Sequence, residues 1–157
     1  MLSDISFRKA IAGIIMALFF CAASAQVKNA KYYTETGDGF FEKGRYDDAI
    51  SNYSKAIGLD AKYALAYGNR GYAYLLKKQA NLIIPAIQDC TKAINLQPTA
   101  PDFYFYRGES YNQKKLIDSA IIDFTKAIQL GPDTSDYYIS RGKAYNQKGF
   151  FDLAIPD

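Results

Sequence analysis

Large and small apolar residues recur every three or four positions through most of this chain. Tyr104, Arg107, Gly108 and Tyr111 fall on one helical face, and Ala120, Phe124 and Ala127 on another, with Pro132 closing the stretch. The spacing predicts two helices joined by a short turn. The same ladder stands 37 residues earlier as Tyr67, Arg70, Gly71 and Tyr74, and 34 residues later as Tyr138, Arg141, Gly142 and Tyr145. Another copy holds Tyr33, Gly37, Phe40, Gly44, Tyr46, Ala49, Tyr53 and Ala56. A self-similar period in this range marks a stacked-repeat architecture.

The ladder has a physical sense of its own. A glycine inside a helix costs about 1 kcal/mol relative to alanine. Gly37, Gly71, Gly108 and Gly142 therefore imply close approach of two helices, and Ala49, Ala86, Ala120 and Ala154 are the small residues expected opposite them. A single helix pair cannot bury its apolar face, so stability must come from stacking units. Asp47 and Asp118 are expected to cap second helices and Ser135 the last first helix, while Pro98 and Pro132 close units. The second unit carries three extra residues. They read as a lengthened turn near Lys78 to Asn81, with Pro85 in the first turn of the helix after it.

An aromatic, then a large residue and Gly, then Tyr, then Ala, an aromatic and Pro is the pattern of the tetratricopeptide repeat family, and this chain resembles it from about Lys31 to Asp157. The resemblance implies an all-α fold, a right-handed superhelical array of antiparallel helix pairs. The units are expected at about 31–62, 64–99, 101–133 and 135–157, after a short linker over 26–31. The last unit stops at Asp157 before a second helix. That suggests the front part of a longer protein or a truncated reading frame, the alternative being an exposed end that pairs with another copy.

In this family the first helices line a concave groove that holds partner segments. The resemblance carries Thr34, Asp38 and Phe41 onto the groove, then Leu65, Tyr72 and Leu75, then Asp102, Phe105, Glu109 and Asn112, and finally Asp136, Ile139, Lys143 and Asn146. The candidates for partner binding are Asp38, Leu65, Tyr72, Leu75, Phe105, Glu109, Asn112, Ile139, Lys143 and Asn146. Tyr72 and Phe105 have a second reading as filler between adjacent helices. An apolar segment with some basic residues suits such a groove. Family members that grip the carboxylate tails of chaperones use Lys, Arg and Asn where this chain has Thr34, Asp38, Asn69, Asp102 and Tyr106. Only Asn69 matches, so that specialised function is not expected.

The first 25 residues differ in kind. Arg8 and Lys9 precede an apolar run from Ile11 to Phe20, and Ala23-Ser24-Ala25 follows. These are the parts of a secretory signal peptide. An uncleaved anchor and a lipoprotein cysteine at Cys21 are the other readings, though the apolar run is short for a membrane span and Phe20 is large for a lipobox. The expected location is exported, periplasmic or secreted, in a bacterium. After cleavage no integral membrane segment is expected.

Composition removes chemistry more than it adds any. The 157 residues hold no His and no Trp, with Tyr 14, Phe 10 and a net charge of +3. Without His there is no Ser-His or Cys-His pair and no common zinc ligand. No Lys/Arg run suggests a nucleic-acid groove. No enzyme activity, cofactor or metal is expected. Cys90 reads as a small core residue, and Asn52-Tyr53-Ser54 as a chance sequon in mid-helix. Arg70, Arg107 and Arg141, each just before a glycine, form either an anion-binding row or packed stems with heads on neighbouring carboxylates. The expected function is a non-enzymatic interaction module that scaffolds an envelope assembly through a protein or peptide partner. The alternative is the repeat domain of a larger exported enzyme or sensor, and self-association through the uncapped end is a third reading.

Overall fold

The computed structural model describes residues 28–150. The expected signal segment lies outside them, as do Phe151, Ala154 and Asp157. Seven α-helices follow one another in this region: α1 (Ala30–Phe41), α2 (Tyr46–Leu59), α3 (Ala64–Leu76), α4 (Ile83–Leu96), α5 (Pro101–Gln113), α6 (Ile117–Leu130) and α7 (Ser135–Gln147). They pack as the pairs α1/α2, α3/α4 and α5/α6, each second helix also touching the first helix of the next unit. First helices touch one another, α1 with α3, α3 with α5 and α5 with α7, and second helices make no comparable contacts. The first helices therefore form the inner wall of a helical solenoid.

The turn after each first helix is set by one left-handed residue. Gly44 (φ 70°), Lys78 (φ 53°), Lys115 (φ 65°) and Gly149 (φ 79°) occupy the same place in successive units. At that point the helix end closes by backbone bonds, such as Lys115 N–H to the Asn112 carbonyl at 3.0 Å and Leu116 N–H to the Tyr111 carbonyl at 2.9 Å. The second bond has equivalents at Arg45 and Phe150. The second unit has no such bond, because its extra residues follow Lys78 and coil into a short 3-10 turn, Ala80–Leu82. Pro85 falls in the first turn of α4, as the sequence suggests.

The expected caps are corrected. Asn29 caps α1, its side-chain oxygen accepting from Tyr32 N–H at 2.9 Å. The cap positions of α2 and α6 are Arg45 and Leu116, and Asp47 and Asp118 lie inside the first turn, where carboxylates favour the helix dipole. Asp47 bonds Lys77 of the next unit, and Asp118 bonds Lys148 in the same way. Ser135 is the first helical residue of α7, after Thr134.

The glycine ladder does bring helices together, but the partners differ from the expected ones. A Cβ on Gly37 would stand 2.5 Å from Tyr53 Cε1, and one on Gly108 would stand 2.7 Å from Phe124 Cε1. Rings of the second helix, not alanines, lie over these two glycines. Ala49 and Ala120 sit one turn earlier and are fully buried between units, Ala49 clustering with Ala73 and Ala120 with Ala144. Among the described pairs, the expected alanine matters at Gly71, through its backbone. There the nearest atoms are Cys90 Sγ at 2.7 Å and the Ala86 carbonyl at 3.1 Å. Cys90 is wholly buried, and burial pushes its thiol pKa up.

Candidate functional site

The inner wall carries a row of aromatic side chains. Tyr72 of α3 lies between Phe41 of α1, with ring centroids 5.2 Å apart, and Tyr106 of α5, stacked at 4.1 Å with 8° between planes. Phe105 continues the row to Tyr137 of α7 at 5.1 Å. Such offset and tilted pairs contribute about 1 kcal/mol each beyond area burial. The row joins one first helix to the next, so its geometry depends on the stacking of units.

Two adjoining clefts open along this row, and Tyr72 belongs to both. The first, of about 340 Å³, is lined by Asp38, Phe41, Glu42, Tyr53, Asn69, Tyr72 and Tyr106. The second, of about 310 Å³, includes Tyr72, Leu75, Phe105, Glu109, Asn112, Asp136, Ile139 and Lys143, with Lys78 at its edge. Both have the size of a small-ligand or side-chain pocket.

Asp38 is held in place from two sides. Tyr53 Oη donates to its Oδ1 at 2.8 Å, and Asn69 Nδ2 donates to the same oxygen at 2.9 Å. Tyr53 comes from α2 and Asn69 from α3, so the carboxylate is positioned across a unit boundary. Burial first, and then the Asp38 carboxylate, push the Tyr53 phenol pKa far up. Tyr106 is shifted upward by burial and by Asp102. Burial also raises Tyr72, with Glu109, Tyr46, Asp136 and Asp102 adding to it. Tyr137 donates to Asp102, and burial together with that bond brings its pKa to about 12.

Most carboxylates outside the groove are paired, Asp60 and Asp133 being the exceptions among the described residues. Glu35, Asp47, Asp48, Asp89, Asp118 and Asp123 each pair with a Lys or Arg. Asp38, Glu42, Glu109 and Asp136 have no ion-pair partner among the described residues. The arginine row lies elsewhere. Its heads are taken up within the protein, Arg70 by Asp89 and Arg107 by Asp123, which is the packed-stem reading.

The positions expected on the groove divide into three groups. Asp38, Phe41 and Tyr72 line the first cleft, and Tyr72, Leu75, Phe105, Glu109, Asn112, Asp136, Ile139 and Lys143 line the second. Leu75 is only 3% exposed, so it forms the floor, whereas Ile139 is 47% exposed and stands at the rim. Leu65, Asp102 and Asn146 are exposed but line neither cleft. Thr34 turns away: it is buried, and its hydroxyl donates to the Ala30 carbonyl at 2.9 Å. The Asn112 amide oxygen is buried without a hydrogen-bond partner among the described residues.

The sequence reading missed Glu42 as a groove residue. It stands one helical turn after Asp38 on the same face, and that i, i+4 spacing was the available signal. Tyr53 was read only as core, and its hydroxyl reaching Asp38 carried no sequence signal. Among the described residues no group of three or more His, Cys, Asp or Glu could hold a metal ion, and no helix is long and apolar enough to cross a membrane.

Comparison with known proteins agrees with this architecture. The family description "TPR repeat" matches residues 37–78, and "Tetratricopeptide repeat" matches residues 101–134. DnaJ homolog subfamily C member 7 of Mus musculus is 32% identical over 95 residues, which are 58% of this chain and 19% of that protein. Serine/threonine-protein phosphatase 5 of Homo sapiens is 33% identical over 88 residues, 56% of this chain and 17% of that protein. The chain thus spans about a fifth of the length of these curated relatives. The second TPR domain of the human RPAP3 protein, solved in complex with the HSP70 peptide SGPTIEEVD, superposes with a TM-score of 0.67 at 30% identity, over 73% of this chain and 93% of that one. With its repeat ladder, its helix-pair solenoid and these matches, the chain belongs to the tetratricopeptide repeat family.

Proposed function

We propose that this protein is a non-enzymatic interaction module that holds a segment of a partner protein along its concave face, and that it acts as a scaffold or adaptor after export. The observation that carries the reading is the pair of clefts on the inner wall, joined at Tyr72 and edged by carboxylates without ion-pair partners. The similar RPAP3 domain holds its peptide as a member of the same family. Export rests on the basic, apolar and small-residue succession of the first 25 residues. The same module as one part of a longer exported enzyme or sensor is the alternative, and the curated relatives, which match over a fifth of their length or less, favour keeping it.

The partner is not expected to be an acidic tail like SGPTIEEVD. Asp38 and Asp102 stand where the family's carboxylate-gripping members carry basic or amide groups. Like charges across an interface repel and lower affinity.

The test is capture of a partner from an envelope fraction, repeated with Ile139→Asp. Ile139 is half exposed at the cleft rim, so the change leaves the core alone. Loss of the partner is expected, and undiminished capture would refute the groove assignment. Tyr72→Ala and Phe105→Ala are poorer probes, because both rings pack against neighbouring units. Export is checked separately. Residues 1–30 fused to a reporter that needs disulfides should give activity, and an inactive reporter would sink that part.

A further inference from the structure

We propose that the first cleft takes the cationic head of a lysine or arginine from the partner segment, while a neighbouring apolar side chain of that segment enters the second cleft. This rests on the groove reading above and adds its ligand chemistry.

Asp38 in the last turn of α1 and Glu42, the residue that ends the helix four positions later, both line the first cleft. No Lys or Arg lines it. The Tyr53 and Asn69 donors meet on one oxygen of Asp38, which aims the carboxylate without neutralising it. The rings of Phe41, Tyr72 and Tyr106 form the remaining wall, an apolar surface along which an alkyl stem can lie with its charged head at the carboxylates. An anionic group would meet two like charges there. A neutral apolar group would strip water from two carboxylates and return no hydrogen bond. A basic side chain satisfies both carboxylates and both surfaces at once.

The second cleft makes a different demand. Glu109 and Asp136 are balanced there by Lys78 and Lys143, and between these charges Leu75 and Phe105 give it an apolar floor, with Ile139 at the rim. Because Tyr72 is shared, one extended segment reaches both clefts. Burial raises the Tyr72 phenol pKa first, and Glu109, Tyr46, Asp136 and Asp102 add to that shift.

The experiment is selection of a phage-displayed random peptide library against the chain, with each enriched peptide then synthesised and titrated. Peptides with Lys or Arg beside Leu, Ile or Phe should dominate. Their affinity should fall about tenfold on Glu42→Gln, the loss of one charged hydrogen bond. Glu42 is exposed, so this variant keeps its fold, whereas Asp38→Asn also disturbs Tyr53 and is read only beside its unfolding curve. Glu35→Gln, on the same helix but outside both clefts, should change nothing. Peptides without basic residues, or peptides that bind Glu42→Gln as well as the parent yet fail on Ile139→Asp, would overturn the cation site and leave the groove reading standing. No enrichment, or indifference to both variants, would overturn both.

Discussion

Arg107 and Asp123 form a two-pronged ion pair, Nε to Oδ2 at 2.7 Å and Nη2 to Oδ1 at 2.8 Å. The third nitrogen of the same guanidinium donates to Thr91 Oγ1 of the preceding unit at 3.3 Å. Arg70 repeats the arrangement with Asp89 at 2.6 and 2.9 Å and Ser54 at 3.0 Å, and Arg141 reaches Thr125 at 3.3 Å. The first unit has Thr36 and Asn52 at the matching positions, and each bonds a carbonyl of its own helix instead. Arginine and aspartate are thus present or absent together, which is how a pair with a nearly buried carboxylate must behave.

Removing one partner of that pair should be costly. Asp123 has only 5% of its side chain exposed and Arg107 18%. Arg107→Ala strands a buried carboxylate, so a loss of about 3 kcal/mol is expected in urea unfolding. The double variant Arg107→Ala/Asp123→Ala should lose less than the sum of the single changes. Single variants within about 0.5 kcal/mol of the parent would show the pair to be solvated.

Two glycines of α1 should respond with opposite signs. Gly39 has nothing within 4 Å of the place its Cβ would take, so Gly39→Ala should stabilise by about 1 kcal/mol through helix propensity. Gly37→Ala would drive a methyl to 2.5 Å from the Tyr53 ring and should destabilise by about 2 kcal/mol. Equal effects in thermal unfolding would contradict the close approach.

Lys115 pays for its left-handed backbone. At φ 65° a residue with a Cβ is strained by about 1 kcal/mol, and Gly44 shows which residue the position suits. Lys115→Gly should raise the unfolding free energy by that amount or somewhat less, and the urea midpoint with it, since glycine also loosens the unfolded chain. A lowered midpoint would mean that the Lys115 side chain contributes more than the backbone loses.

Stability should fall in alkali. Cys90, Tyr53, Tyr72, Tyr106 and Tyr137 all have pKa values raised by burial above the ordinary 9.0 of the thiol and 10.0 of the phenol. The folded state keeps these protons while the unfolded chain releases them. Their contribution is therefore complete below about pH 9 and is lost as pH rises, by up to about 1.4 kcal/mol per pH unit for each group. Urea unfolding at pH 8 and pH 11, followed by phenolate absorbance, measures it. Unchanged stability at pH 11 would contradict the burial of these groups.

Much of the fold was legible because its causes are local. Helix periodicity, the glycine ladder and the turn residues each act within a few positions, so seven helices and the place of the three-residue insertion could be read in order. The caps were misread because Arg45 and Leu116 carry no capping side chain, and the chain closes those turns with backbone bonds instead. The groove was legible in part. Asp38, Tyr72, Phe105, Glu109 and Ile139 were placed by the family resemblance, and each lines one of the two clefts.

The order of elements and the repeat are properties of the sequence alone, since hydrophobic period and backbone preference act along the chain, and the inward face came from the family resemblance that the repeat carries. What meets what across units was decided by the tertiary structure. That Tyr53 rather than an alanine covers Gly37, that its hydroxyl and Asn69 converge on Asp38, and that Glu42 joins the cleft while Thr34 leaves it, all depend on the spacing and rotation between stacked helix pairs. Those distances arise from how large side chains from different units share one interior, and no single unit contains that information.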